Sequence, residues 1–226
     1  MTATDNGNRF IDLSHTIRAG LITYPGLPAP VFTSHLTRAD SRAVYAPGTE
    51  FALDIISMIG NTGTYLDSPF HRYPDGADLA GLDLSTLVGL PAEVFHLRES
   101  PGRAVDVDVF LGRSLAGCAV LINTGWDRLF GLPEYATGAP FLTEAAARHL
   151  ADQRAVLVGI DSLNIDDTLS GGSRPAHSIL LAAGIHVVEH LTLLDQVPER
   201  GARFTAVPPK VEGFGTFPVR AFAQLP

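Results

Sequence analysis

Ionisable and polar side chains crowd into one glycine-rich loop between two apolar segments. This loop, residues 60–71, contains Asp67 and His71 four residues apart, with Pro69 between them to restrict the backbone. Such a loop gains little from packing, so chemistry is the better explanation for its composition. The Asp67 carboxylate could bind a metal ion or a hydrogen-bond donor, and His71 could act as a nearby base. The alternative is a turn-forming Asp followed by a surface His.

A second pair of candidate groups lies far along the chain. His177 begins a predicted helix, and Glu189 lies twelve residues later in the strand that follows it. Gly184 ends the helix and could turn the strand back, which would bring the two side chains toward one point. Together with Asp67 they offer the N and O ligands expected for Zn²⁺ or Mn²⁺. Each also has a structural explanation, because His177 could cap its helix and Glu189 could face solvent.

Two further histidines share the predicted strand with Glu189. His186 and His190 are offset from it by odd numbers of residues. Because side chains alternate along a strand, both are expected to point to the opposite face. They are therefore not candidate site residues.

The loop also carries most of a family signature. Residues 61–71 read Asn-Thr-Gly-Thr-Tyr-Leu-Asp-Ser-Pro-Phe-His. This resembles the His-x-Gly-Thr-His-x-Asp-x-Pro-x-His signature of the cyclase family of metal-dependent hydrolases, which includes bacterial kynurenine formamidase and isatin hydrolase. Five of the seven fixed positions match, and Asn61 and Tyr65 replace the first two histidines. Elsewhere the resemblance covers residues 24–26, 123–126 and 159–161, with His177 and Glu189 at the family's spacing.

The resemblance implies which residues bind metal and which move protons. In the family, the first two signature histidines and the aspartate bind one metal ion, while the aspartate, a later histidine and a glutamate serve a second position. The last signature histidine acts in acid/base catalysis. Carried over, the metal ligands are Asp67, His177 and Glu189, and the acid/base residue is His71. Asn61 and Tyr65 are poor zinc ligands, so the first metal position is expected to be missing or weakened.

Three functions are then open. In the first, one Zn²⁺ or Mn²⁺ ion keeps an open position for a water or a substrate carbonyl, and His71 shuttles the proton while an amide or lactone bond is hydrolysed. In the second, a metal-free pocket of His71, Asp67, Tyr65 and Glu189 catalyses cyclisation, dehydration or isomerisation, with Asn61 and Tyr65 donating hydrogen bonds to an oxyanion. The third is a non-catalytic binding protein, which would not need His71 and the three metal ligands to persist together.

Aromatic side chains suggest the kind of substrate. Tyr24 lies on a loop stiffened by Pro and Gly, Trp126 follows a predicted strand, and Phe70 lies in the signature itself. Tyr24 and Trp126, with Asn61 and Tyr65, are the candidate substrate contacts, so an aromatic or cyclic carbonyl compound is the expected substrate. The alternatives are a Tyr in a surface turn and a Trp that fills core space.

Strands alternate with short helices around these residues. Apolar runs predict strands at residues 10–17, 31–37, 51–59, 92–97, 119–123, 155–160 and 185–191, and helical spacing predicts helices at 143–153 and 175–183. The run at 51–59 is apolar enough to suit burial on both faces. Strands outnumber helices, so we expect an α/β chain with a single mixed α/β domain over residues 1–226. The resemblance implies a swivelling β/β/α fold.

Composition argues against other classes of protein. The formal charge of −8 and the lack of a basic run argue against a nucleic-acid partner. Because no apolar stretch approaches the ~20 residues that span a bilayer, and the first residues lack a signal peptide's apolar core, a cytoplasmic protein without a membrane partner is expected. Residues 1–9 are expected to form a flexible tail. The resemblance implies a homodimer or a larger homo-oligomer.

Overall fold

The computed structural model describes residues 9–98, 100 and 102–226. The expected N-terminal tail lies outside these described residues, apart from Arg9. The strands are β1 (Phe10–Asp12), β2 (Val31–Leu36), β3 (Leu53–Ser57), β4 (Tyr65–Asp67), β5 (Leu90–His96), β6 (Ala104–Val105), β7 (Ala119–Asn123), β8 (Phe141–Leu142), β9 (Leu157–Ile160), β10 (His186–Glu189), β11 (Arg203–Thr205), β12 (Thr216–Pro218) and β13 (Phe222–Gln224). The helices are α1 (Arg38–Ser41), α2 (Glu144–Asp152) and α3 (Pro175–Ala182). None of the helices in this part of the chain has the length and apolar character needed to cross a membrane.

Most strands join one mixed sheet. In the described chain its order is β1-β13-β11-β5-β7-β9-β10-β4-β12, with nine strands. The central strands β5, β7, β9 and β10 run parallel, and the flanking strands pair antiparallel. Parallel neighbours need crossover connections, and α2 and α3 lie in two of them. The predicted mixed α/β class is confirmed.

The core lies on both faces of the central strands. In β7, Ala119 and Leu121 join one apolar cluster, while Val120 and Ile122 join the other. A strand buried on both faces has a continuous apolar sequence, which is why the prediction for this segment gives the observed bounds. The second cluster also takes Leu150 and other apolar residues of α2 and α3, so the helices cover that face.

The predicted burial of residues 51–59 is wrong. β3 is exposed along its whole length and pairs with β2 in a separate two-stranded ribbon. Ile55 and Ile56, which point to opposite faces of the ribbon, are 49% and 55% exposed. The ribbon is therefore apolar on both faces without a covering layer from the described part of its own chain.

Strand β4 positions the signature residues. It lies between β10 and β12, with Asp67 opposite Val187 on one side and Thr216 on the other. Tyr65 lies opposite Glu189. Since alternate side chains share a face, this register puts Tyr65, Asp67 and Glu189 on the same side of the sheet.

A buried imidazole begins β10. His186 is 4% exposed, and its Nε2 atom lies 2.9 Å from the Thr86 hydroxyl. Its Nδ1 atom is buried and has no hydrogen-bond partner among the described residues. Burial lowers the pKa of His186 to about 4, because the charged imidazolium would lose its hydration.

His186 should make the stability of the fold depend on pH. The unfolded imidazole has a pKa near 6.5, against about 4 in the folded protein. Between these values the unfolded chain binds a proton that the folded protein does not, so the free energy of unfolding falls as pH drops, by on the order of 3 kcal/mol from this residue. Urea unfolding at pH 7.5 and 4.5 should show a smaller loss for His186→Gln than for the wild type. The control His149→Gln, in α2, should keep the wild-type loss, and equal losses in both variants would contradict this origin.

Candidate active site

One glycine at the start of the signature loop and another just before β12 allow close approach of backbones. A Cβ atom on Gly60 would overlap the backbone oxygen of Thr216, and one on Gly215 would overlap the backbone of His71. Only glycine lets these segments lie so close together. The loop thereby holds His71 against the end of β12.

Three buried ligand atoms converge on a cavity of about 350 Å³. The Nε2 atom of His177 lies 3.4 Å from Asp67 Oδ2 and 3.6 Å from Glu189 Oε1. All three ligand atoms lie within 4.8 Å of one another, and all three residues are buried. The structure thus brings together the three residues that the sequence analysis assigns to a metal.

Asp166 orients His177, and the sequence analysis missed it. Its Oδ2 atom accepts a hydrogen bond from His177 Nδ1 at 2.7 Å, and its two oxygens accept the backbone N–H groups of Ala176 and His177. Because Nδ1 is engaged, Nε2 points to the cavity. The available signal is an Asp in the loop before a helix that begins with Pro175, where a carboxylate can satisfy the first free N–H groups.

Tyr65 occupies one of the altered signature positions. It is 2% exposed, and its hydroxyl donates to Glu189 Oε2 at 2.6 Å. Burial, with the charges of Glu189 and Asp67, raises the pKa of Tyr65 well above its ordinary value, so the phenol stays protonated and acts as a donor. Asn61, at the other altered position, also lines the cavity.

A shared hydroxyl fixes the tautomer of His71. The Thr216 hydroxyl donates to Asp67 Oδ1 and lies 2.7 Å from His71 Nδ1. A hydroxyl has one proton, and an ionised carboxylate only accepts, so Nδ1 of His71 must carry a proton and donate to the Thr216 oxygen. In neutral His71 the Nε2 atom is then the free base. Thr216 has no sequence signal, since it lies 149 residues from Asp67.

The electrostatics of the site favour positive charge. Burial would raise the pKa of Asp67, but contacts with His177, His71 and Thr216 lower it overall. Burial would lower the pKa of His177, yet Glu189, Asp166 and Asp67 raise it to about 10. Burial, with the charge of Asp67, raises the pKa of Glu189 to about 7. A site that holds a proton this strongly on a buried imidazole is an anionic pocket.

The donor set fits a divalent cation. Asp67 Oδ2 is buried and has no hydrogen-bond partner among the described residues. A buried carboxylate oxygen without a hydrogen bond is costly unless a cation sits beside it. A protonated His177, 3.4 Å away, is that cation in the metal-free site, and a divalent ion would take over this role. One imidazole nitrogen and two carboxylate oxygens are ligands that Zn²⁺ or Mn²⁺ accepts.

Tyr24 and Trp126 are not among the residues that line this cavity. They pack in a small apolar cluster around Tyr135, and the Trp126 indole donates to the Tyr135 backbone oxygen at 2.9 Å. Trp126 lines a separate cavity of about 180 Å³.

The Tyr135 hydroxyl lies 2.8 Å from Nδ1 of His190, whose ring centroid is 5.1 Å from that of Tyr65. The expected alternation fails for His190, because β10 ends at the residue before it and His190 has a φ of 57°.

Comparisons with known proteins find related chains over nearly the whole length of this one. The Cyclase family model, described as "Putative cyclase", matches residues 11–167. A kynurenine formamidase from Geobacillus thermodenitrificans is 32% identical over 217 residues, which cover 95% of this chain and 96% of the relative. A potential metal-dependent hydrolase with cyclase activity has a TM-score of 0.77 and 28% identity, over 95% of this chain and 96% of its own. An isatin hydrolase bound to the product analogue thioisatinate has a TM-score of 0.80 and 25% identity, over 96% and 92%.

The Thr216 hydroxyl should control the tautomer of His71. Long-range ¹H–¹⁵N NMR spectra of the wild type near pH 8 should show Nδ1 protonated and Nε2 bare. In Thr216→Val, which keeps the shape but removes the acceptor, the Nε2–H tautomer should become populated. Thr216→Ser should retain the wild-type spectrum. A wild-type His71 protonated on Nε2 would contradict the assignment.

Proposed function

The chain belongs to the Cyclase family, and on that premise we propose that it is a hydrolase that cleaves an amide bond of a small aromatic compound, using one divalent metal ion. Kynurenine formamidase and isatin hydrolase, which this chain resembles over nearly its whole length, support this choice. A formamide or a cyclic amide on an aromatic ring is therefore the substrate class to test first. Hydrolysis of a lactone is the oxygen equivalent of the same reaction.

The observation that carries the proposal is the position of His71 beside the three ligands. The ring centroids of His71 and His177 are 6.1 Å apart, and His71 Nδ1 lies 3.8 Å from Asp67 Oδ1. A proton-transfer group therefore lies next to a donor set that fits a cation. That pairing suits metal-assisted hydrolysis better than binding alone.

Asp67, His177 and Glu189 would hold the metal. When bound, a divalent ion supplies a Lewis acid that polarises a carbonyl and makes a bound water more acidic. Asp166 holds His177 with Nε2 toward the cavity, while Tyr65 holds the second oxygen of Glu189. These contacts orient the donor atoms before a metal binds, which lowers the cost of forming the site.

His71 would move the proton during hydrolysis. Its free Nε2 atom can accept the proton of the attacking water as the new C–O bond forms. The same imidazole can then deliver that proton to the amide nitrogen as the C–N bond breaks, which completes the addition of water to the amide. The Nδ1–H···Thr216 hydrogen bond, with Asp67 behind it, would stabilise the imidazolium between these two transfers.

Asn61 and Tyr65 would contact the substrate instead of a second metal ion. Both line the cavity, and the Tyr65 hydroxyl lies on the Glu189 carboxylate. The Asn61 amide can donate hydrogen bonds to a substrate oxygen. The single Tyr65 proton is already donated to Glu189, so the Tyr65 oxygen can only accept a hydrogen bond from the substrate. We therefore expect one metal ion per chain.

Metal content and hydrolysis should depend on the same residues. Protein purified without chelator should contain about one equivalent of Zn²⁺ or Mn²⁺ by elemental mass spectrometry, and it should hydrolyse N-formylkynurenine or isatin. His177→Ala should lose both metal and activity. The control Tyr65→Phe should keep the metal, and Asn61→His/Tyr65→His should gain a second equivalent. If metal is absent and added Zn²⁺ or Mn²⁺ restores no hydrolysis, the metal-dependent hydrolase is ruled out in favour of the metal-free acid/base function.

We propose that the protein acts as a homo-oligomer and that the β2–β3 ribbon joins two copies. An isolated two-stranded hairpin is marginally stable in water, and exposed apolar patches of this kind mark interaction surfaces. Six of the large side chains that it and its connecting segment present are about half exposed, namely Val31, Phe32, Phe51, Leu53, Ile55 and Ile56.

The area of the ribbon fits a second copy of the chain. With ~150–200 Å² for a large apolar side chain, the six half-exposed side chains present ~500 Å² per copy. If the partner copy covers both apolar faces of each ribbon, the two copies together bury ~1,000 Å² from these side chains alone, which is about the smallest area expected of a biological interface. A symmetric pair also leaves no complementary surface free for further growth.

Charge on the ribbon should separate the copies. Light scattering coupled to size exclusion should show a dimer or a larger closed oligomer for the wild type. Ile55→Glu/Ile56→Glu should give folded monomers, since it puts charges on both apolar faces. The control Leu111→Glu, at an exposed apolar position elsewhere, should keep the wild-type mass. A monomeric wild type at 50 µM would overturn the proposal.

A further inference from the structure

Two arginines line the active-site cavity and form no salt bridge with a described residue. Arg72 directly follows His71, and Arg174 is the residue before α3. Within the described chain, no carboxylate oxygen lies within 4 Å of either guanidinium group. Asp167, whose backbone oxygen lies 3.4 Å from Arg174, already forms an ion pair with Arg103. Arg174 thus shares the charge of Asp167 with Arg103, which lies closer to it, and Arg72 has no carboxylate within 4 Å among the described residues. The two arginines therefore carry more positive charge than the nearby carboxylates balance.

Local contacts hold both arginines on one wall. The Arg174 guanidinium donates to the backbone oxygen of Ser173 at 2.8 Å. The hydroxyl of Ser178, which also lines the cavity, donates to the Arg174 backbone oxygen at 2.7 Å and lies 3.4 Å from Arg72 Nε. Each guanidinium carries five N–H donors, so most of those donors stay available to a ligand.

The charges of the cavity then favour an anion at this wall. Asp67 and Glu189 together carry two negative charges, which a divalent ion would balance, a step that rests on the proposed function. Arg72 and Arg174 leave an excess of positive charge at the outer part of the cavity, where they are exposed or half-buried. The chain as a whole has a formal charge of −8, so the local positive charge is opposite in sign to the net charge of the protein.

We propose that Arg72 and Arg174 bind a carboxylate of the substrate, on the side of the cavity away from the bond that is cleaved. The planar guanidinium groups match a carboxylate and can donate paired hydrogen bonds to its two oxygens. The wall selects substrates that carry an anionic group as well as an amide. Neutral amides of the same size bind more weakly.

A matched pair of ligands tests this binding without any turnover. Isothermal titration of the metal-loaded protein with 4-phenylbutyrate and with 4-phenylbutan-1-ol should show at least about tenfold tighter binding of the carboxylate. Arg72→Gln and Arg174→Gln should each weaken carboxylate binding by about tenfold and change alcohol binding by less than about threefold. The control Arg128→Gln, an exposed arginine away from this cavity, should change neither.

A third variant shows whether the carboxylate binds to the arginines or to the metal. His177→Ala should remove the metal, and the effect of Arg174→Gln on carboxylate binding should persist in that background. If the arginine variants change nothing, or if the preference for the carboxylate disappears with the metal alone, the arginine site is overturned. Because the readout is binding, these results stand apart from whether any amide is hydrolysed.

Discussion

The site depends on the register of one short strand. β4 has three residues and is hydrogen-bonded to β10 on one side and to β12 on the other. This pairing puts Asp67 beside Thr216 and Tyr65 beside Glu189. A shift of one residue would turn both side chains to the opposite face and bring Leu66 to the cavity. Because Leu66 packs in the apolar core on that opposite face, core packing and site geometry both require the same register.

Elements with a strong local pattern are predictable from the sequence, but their surroundings are not. β7 has its predicted bounds, and α2 lies within the predicted range 143–153, after the N-cap Thr143, whose hydroxyl accepts from the Ala146 backbone. Both signals lie within one segment of chain. The apolar run of β3 shows only that something must cover it. A single sequence does not say whether the cover is the same chain or another copy, so its predicted burial in the core is wrong.

Some residues of the site are predictable from the sequence and others are not. Asp67, His177 and Glu189 are recognisable because the signature and the spacing mark them, and the structure brings them together. Asp166 has only the weak signal of an Asp in the loop before a helix, and Thr216 has none, since a lone Asp or Thr is common in loops and strands. Their roles follow from hydrogen bonds that form only when distant segments of the chain pack together. The structure is therefore needed to identify residues that orient a ligand, even where the ligand itself can be predicted from the sequence.

The change from histidine to Tyr65 alters what this position can do for a metal. A phenol binds a cation well only as a phenolate, and burial beside Glu189 and Asp67 raises its pKa, which disfavours that form. The protonated hydroxyl instead holds Glu189 Oε2, while the Ile165 N–H group donates to Oε1 at 2.6 Å. With one hydrogen bond on each oxygen, the Glu189 carboxylate is held in one orientation, in which Oε1 lies 3.6 Å from His177 Nε2. A tyrosine at this position of the signature thus makes the Glu189 carboxylate more rigid.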